Sequence, residues 1–131
     1  GAPPPLTARP RSPLGSRSAD RARRPRRLAT VTGMATLLST DELPDRLATL
    51  TGWSGDTTAI ARSVELPTFP AAIEVVNRVA QVAEEMNHHP DIDIRWRTLR
   101  FVCTTHSAGG VTDRDVELAR HIDEIVATAL G

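Results

Sequence analysis

The feature that most constrains this chain is a change of hydrophobic period across Pro90. Before it, Phe69, Ala72, Ile73, Val76, Val79, Ala80 and Ala83 recur at three- and four-residue steps, the spacing of one helix face. Glu74, Arg78, Gln81 and Glu85 cover much of the opposite side. After it, Ile92, Ile94 and Trp96 share one parity, and Leu99, Phe101, Cys103 and Thr105 share the other. A single strand would have to change faces halfway, so the spacing predicts two strands joined through Arg97-Thr98. Pro90 disfavours helical dihedrals at His89, which ends the helix at or before that residue.

The flanks repeat the same grammar. Pro67-Thr68 opens the long helix, and Pro70 is tolerated because first-turn amides have no intrahelical partner to lose. Upstream, a short helix is expected over about Ser39 to Leu50, capped by Thr40, with Leu43, Leu47 and Leu50 as its apolar stripe. Gly55-Asp56 reads as a turn, followed by a strand over Ala59 to Leu66 in which Ile60, Val64 and Leu66 share parity. Downstream, Ser107 to Gly110 is a turn. Thr112 then caps a last helix, with Asp115 three residues on as in a capping box and Val111 and Val116 at the staple positions. Leu118, Ala119, Ile122, Ile125, Val126 and Ala129 form its buried face. The order α-β-β-α-β-β-α predicts an α+β, two-layer sandwich: a four-stranded antiparallel sheet with helices packed on one face. The other face or a free edge is then open to a second subunit.

Charge divides the chain in two. Residues 1–33 carry eight arginines against Asp20, net +7, and residues 34–131 carry eight arginines against fifteen carboxylates, net −7. The first segment has few branched or aromatic side chains to bury and is expected to be a disordered Arg/Pro-rich extension. Weak partner or nucleic-acid contact and targeting are its other readings. Five prolines among the first thirteen residues work against an amphipathic transit helix. Residues 34–131 make the folded domain, and Met34 lies where globular patterning begins. Its acidic balance argues against a nucleic-acid surface. No stretch has the apolar length of a membrane span. The lone Cys103 excludes an internal disulfide and falls in an apolar strand, where packing is its expected role.

Chemistry is concentrated where elements end. His88 and His89 follow the long helix, His106 closes the last strand, and Asp115 opens the last helix. Imidazole is the side chain whose ordinary titration lies near neutrality, so a cleft lined by these groups can run acid–base chemistry. Glu84 lies four residues before His88 and is expected to orient its ring, while His89 points elsewhere. Each group has a plainer reading as well. The histidine pair can serve as a helix C-cap, His106 as a loop residue, Asp115 as a backbone cap and Glu84 as a solvated charge. His121, flanked by Glu117 and Glu124, reads as surface. A zinc triad of His88, His89 and His106 is disfavoured, because neighbouring residues rarely converge on one ion and the HExxH spacing is absent. No metal is expected.

The run Glu84-Glu85-Met86-Asn87-His88-His89-Pro90, the aromatic Trp96, Thr104-Thr105-His106 and Gly110-Val111-Thr112-Asp113-Arg114-Asp115 resemble the pterin-4a-carbinolamine dehydratases. The resemblance covers about residues 38–130. It implies dehydration of 4a-hydroxytetrahydrobiopterin to the quinonoid dihydropterin, in recycling of the cofactor of aromatic amino acid hydroxylases. It marks His88, His89 and His106 as active-site histidines, with Glu84, Asp115 and Trp96 as substrate-binding or supporting groups. Trp96 stands where the family more often has a smaller aromatic. The resemblance further implies a pterin substrate, no separate cofactor, a homodimer or homotetramer, a functional link to such a hydroxylase and a cytoplasmic location. It leaves a second function open: a pterin-binding or oligomerisation protein of coactivator type, as the animal members partly are.

Overall fold

The computed structural model describes residues 35–131, and the expectation for residues 1–33 lies outside them. The elements are α1 (Glu42–Leu47), β1 (Ser54–Asp56), β2 (Ala59–Glu65), α2 (Phe69–Met86), β3 (Asp91–Arg95), β4 (Thr98–Cys103), a 3₁₀ turn (His106–Ala108) and α3 (Asp113–Leu130). The strands form one antiparallel sheet in the order β1-β2-β4-β3. The α+β order read from the sequence is the order observed.

Register explains why the sheet has one dry face. Ile60 pairs with Cys103 and Val64 with Leu99, while Ile92 and Ile94 pair with Phe101 and Leu99. These residues point toward the helices, and Ile60, Leu99 and Phe101 are fully buried. The alternate row, with Ser63, Arg100 and Asp93 side by side, is exposed. The core closes with Ala72, Val75, Val79 and Ala83 of α2, and with Val116, Leu118, Ala119, Ile122 and Val126 of α3. Burying such branched side chains contributes roughly 1.5–3 kcal/mol each.

The face of α2 is rotated from the expected one. Val75 is buried, whereas Ala80 and Phe69 are exposed and Ile73 and Val76 only half-buried. The apolar stripe of this helix is wider than the strip that α3 and the sheet cover, so its flank stays at the surface. α1 is shorter than expected, and Ser39 rather than Thr40 makes its cap. Ser39 Oγ accepts from the Glu42 N–H at 3.0 Å, and Glu42 Oε1 accepts from the Ser39 N–H at 2.9 Å.

Both hairpin turns lie elsewhere than expected. Gly55 and Asp56 are paired strand residues, opposite Ile60 and Ala59, and the chain turns at Thr57-Thr58. Gly55 is needed for close approach: its φ is +141°, and a Cβ there would lie 2.2 Å from the Ala59 carbonyl oxygen. Asp56 makes the turn, its carboxylate accepting from the Thr58 N–H and hydroxyl. The second hairpin turns at Trp96-Arg97, one residue early, with Trp96 left-handed at φ 55°. Arg97 fixes that position. Its carbonyl accepts from the Leu66 N–H, and its guanidinium donates to the Leu66 and Pro67 carbonyls and pairs with Glu65.

A charged residue also sits on the inner face. Arg62 shares parity with Ile60 and Val64, and it reaches Asp123 of α3 at 2.7 Å. The same carboxylate accepts from the Trp53 indole at 2.7 Å and from the Thr51 N–H at 2.8 Å. This nearly buried knot ties the β1–β2 end of the sheet to the last helix.

Candidate active site

Helix α2 stops in a way that sends the two histidines apart. Asn87 is left-handed at φ 51°, its N–H donates to the Glu84 carbonyl, and the His88 N–H donates back to the Ala83 carbonyl. Arg114, from the first turn of α3, donates to the Met86 and Asn87 carbonyls at 2.5 and 3.3 Å. His88 has therefore left the helix before its side chain is placed, and the four-residue spacing to Glu84 no longer applies.

The expected Glu84–His88 pair is thus replaced by two others. His88 Nε2 lies 2.6 Å from Asp115 Oδ1. His89 Nε2 lies 2.7 Å from Glu84 Oε2, with both of those side chains more than half exposed. His88 is 8% exposed and Asp115 0%. One pair is internal to the fold, and the other stands in solvent.

Asp115 is held from several sides. Its Oδ2 accepts from the Thr105 hydroxyl at 2.7 Å and from the Thr112 N–H at 2.9 Å. The second bond completes the capping box of α3, so the capping role read from the sequence and the histidine contact coexist in one carboxylate. A carboxylate is acceptor-only, so the His88 ring donates through Nε2–H, and in the neutral ring Nδ1 carries the lone pair. Among the described residues Nδ1 has no hydrogen-bond partner, and only Arg97 Nε is both sealed from solvent and unpaired. Among those residues Nδ1 is thus the ring nitrogen that is neither bonded nor sealed.

Pairing of Asp91 with Val102 sets the start of β3 beside the end of β4. His106, the residue after Thr105, opens the 3₁₀ turn there and is exposed. His88 contacts Asp115, and His106 follows directly on Thr105, the residue that bonds the other oxygen of that carboxylate. Trp96 is not brought to this cluster within the chain. It lies at the opposite tip of the β3–β4 hairpin, 71% exposed, under the Arg97 guanidinium at 4.7 Å. Five strand residues, about 17 Å, separate that tip from Asp91. Cys103 is buried, and desolvation pushes its thiol far above the ordinary range, with Asp115 adding to the rise. His121 is half-exposed beside Glu124. Among the described residues no three potential ligands converge on a common point, and no helix there is long and apolar enough to cross a membrane.

Thr105, Thr112 and Arg114 escaped the sequence reading as site residues. For Thr105 a signal existed: a hydroxyl continues the buried parity of Leu99, Phe101 and Cys103. Such a group must find a partner indoors. Nothing local marks Arg114, whose partners lie 27 and 28 residues away.

Residues 36–125 match the family model described as pterin 4 alpha carbinolamine dehydratase. A Nocardia farcinica protein assigned to the pterin-4-alpha-carbinolamine dehydratases is 53% identical over 89 residues, covering 68% of this chain and 94% of its own length. A Roseiflexus protein of the same assignment is 52% identical over 93 residues, 71% of this chain and all of its own. Among solved structures, a transcriptional coactivator/pterin dehydratase from Brucella melitensis superposes with a TM-score of 0.65 at 31% identity. That match covers 67% of this chain and 96% of the Brucella one.

Proposed function

Because the chain belongs to the pterin 4 alpha carbinolamine dehydratase family, we propose that it removes water from 4a-hydroxytetrahydrobiopterin to give quinonoid dihydropterin. The reaction breaks the C4a–O bond and the N5–H bond and makes the C4a=N5 double bond. One proton goes to the departing hydroxyl and one leaves N5, so the protons balance and no electrons are exchanged with another molecule. The protein need supply only an acid, a base and a grip on the ring.

The observation that carries this reading is the Asp115–His88 pair. It engages Nε2 and leaves Nδ1 without a partner among the described residues, which suits His88 to take the N5 proton. Asp115 then stabilises the imidazolium that forms, as the buried acid of a catalytic triad does. His106, exposed at the turn that follows Thr105, is assigned to protonate the 4a-hydroxyl. His89, oriented by Glu84, is assigned to hold the pterin. Proton transfers of this kind contribute about 10²–10⁴-fold each. The rest of the reading follows from the family: a homodimer or homotetramer in the cytoplasm, serving a pterin-dependent aromatic amino acid hydroxylase.

Stopped-flow mixing with freshly made carbinolamine tests it. The wild-type protein should accelerate dehydration, and His106→Ala should lose most of that acceleration while keeping its fold, since the side chain is exposed. Equal rates in the two proteins would remove His106 from the mechanism. No acceleration by wild type would remove the activity.

A further inference from the structure

Thr105 bonds the acid that holds His88, and it is the residue directly before His106. Its side chain is buried, and its hydroxyl hydrogen goes to Asp115 Oδ2 at 2.7 Å. A hydroxyl has a single hydrogen, so the 2.8 Å contact with Thr112 Oγ1 must be donated by Thr112. Thr112 Oγ1 in turn accepts from the Arg114 N–H at 3.2 Å. The bonds therefore run one way, from the Arg114 amide through Thr112 and Thr105 to Asp115. On the other oxygen of that carboxylate is the His88 ring. The backbone of Thr105 faces the opposite direction. Its N–H donates to the Gly110 carbonyl at 2.9 Å, and its carbonyl accepts from the Ala108 and Gly109 amides at 3.0 and 2.9 Å. These bonds close the turn whose first residue is His106.

A carboxylate rotates broadly about its last bond unless its oxygens are held. The Thr112 N–H cannot hold the Asp115 plane against the sheet, because both groups belong to the start of one helix. The Thr105 hydroxyl is the bond that crosses from the end of β4. We propose that Thr105 is a positioning residue: its hydroxyl fixes the Asp115 carboxylate, and through it the tautomer and heading of His88, while its backbone sets His106. The inference rests on the dehydratase reading above, and it names what keeps the base and the acid in register across two elements.

Thr105→Val keeps the volume and deletes the hydroxyl, and Thr105→Ser keeps the hydroxyl. Assayed well below the thermal midpoint, Thr105→Val should lose roughly 10- to 100-fold in kcat, the loss typical of an outer partner that orients a working histidine. KM should stay within about threefold, and Thr105→Ser should recover kcat to within about threefold of wild type. The second readout needs no substrate. In protein with ¹⁵N-labelled histidine, His88 should be the Nε2–H tautomer in wild type and Thr105→Ser, and a mixture in Thr105→Val. A Thr105→Val protein with wild-type kcat and an unmixed His88 tautomer would overturn the proposal, whatever its melting temperature. If Thr105→Val does not fold, Thr105→Ala gives the same comparison without added bulk. A wild type without dehydratase activity would sink the functional reading alone. The tautomer comparison would then still decide the coupling, for or against.

Discussion

Replacing Asp115 by asparagine sets two demands of the site against each other. The carboxylate accepts three hydrogen bonds, two on Oδ2 and one on Oδ1. An amide of the same shape accepts on one side only. If its oxygen faces His88, its NH₂ meets the Thr112 N–H, a backbone donor that cannot turn away, and one buried donor is orphaned at about 1–3 kcal/mol. If its oxygen takes the Oδ2 position, the bonds from the Thr105 hydroxyl and the Thr112 N–H survive and the NH₂ points at His88 Nε2. The second orientation wins, and it forces the ring into the Nδ1–H tautomer, with no lone pair on Nδ1. Each bond also loses the assistance of the charge, about 1 kcal/mol apiece, for a total of roughly 2–3 kcal/mol and a thermal midpoint lower by about 10–20 °C. At a temperature where the variant is folded, dehydration should slow by about 10²–10⁴-fold, the range lost when a catalytic imidazole is held in the wrong tautomer. Stopped-flow rates and ¹⁵N histidine spectra measure both effects. A folded Asp115→Asn protein with kcat within a few-fold of wild type would refute the assignment of His88 Nδ1 as the base.

Three further outcomes follow from the fold. Asp123→Ala strands the nearly buried Arg62 guanidinium and unties Trp53 and Thr51, so the urea midpoint should drop by an amount equivalent to about 3 kcal/mol. An unchanged midpoint would mean that the knot contributes nothing. Cys103, with its thiol pushed up by burial, should resist a thiol-exchange reagent at pH 8 in the native protein and react at once in denaturant. Asp56 is held below the ordinary carboxylate range, chiefly by the Thr58 hydroxyl and also by its N–H. Its contribution to stability is therefore present at neutral pH and lost as pH falls through that lowered value. Asp56→Asn, which cannot titrate, should flatten the acid side of a urea-midpoint profile between pH 6 and pH 3.

The grooves that run along α2 illustrate how chemistry, rather than concavity, locates the site. On α2 they are lined by residues between Phe69 and Gln81, short of the helix's histidine end. Gln81, the lining residue nearest that end, is seven residues before His88, about 10 Å along the axis. They hold no histidine and none of the paired acids of the active-site cluster.

What the sequence determined by itself was everything decided within a few residues along the chain. The change of period at Pro90, the helix start at Pro67-Thr68, the cap at Thr112 and the alternation through Leu99, Phe101 and Cys103 specified the order of the elements, because helix and strand patterns are local. The same locality placed the histidines at element ends. It failed at element ends, where two local structures compete for the same residues, and where the partner came from another element. Gly55 read as a turn residue but was needed for close approach to Ala59. Glu84 stood at helical spacing from His88, yet the helix had already ended. The pairing of His88 with Asp115, 27 residues apart, and the crossing bond from Thr105 were settled by tertiary structure alone. A buried polar group takes whatever partner packing brings within 3 Å, and only the folded chain says which elements meet there.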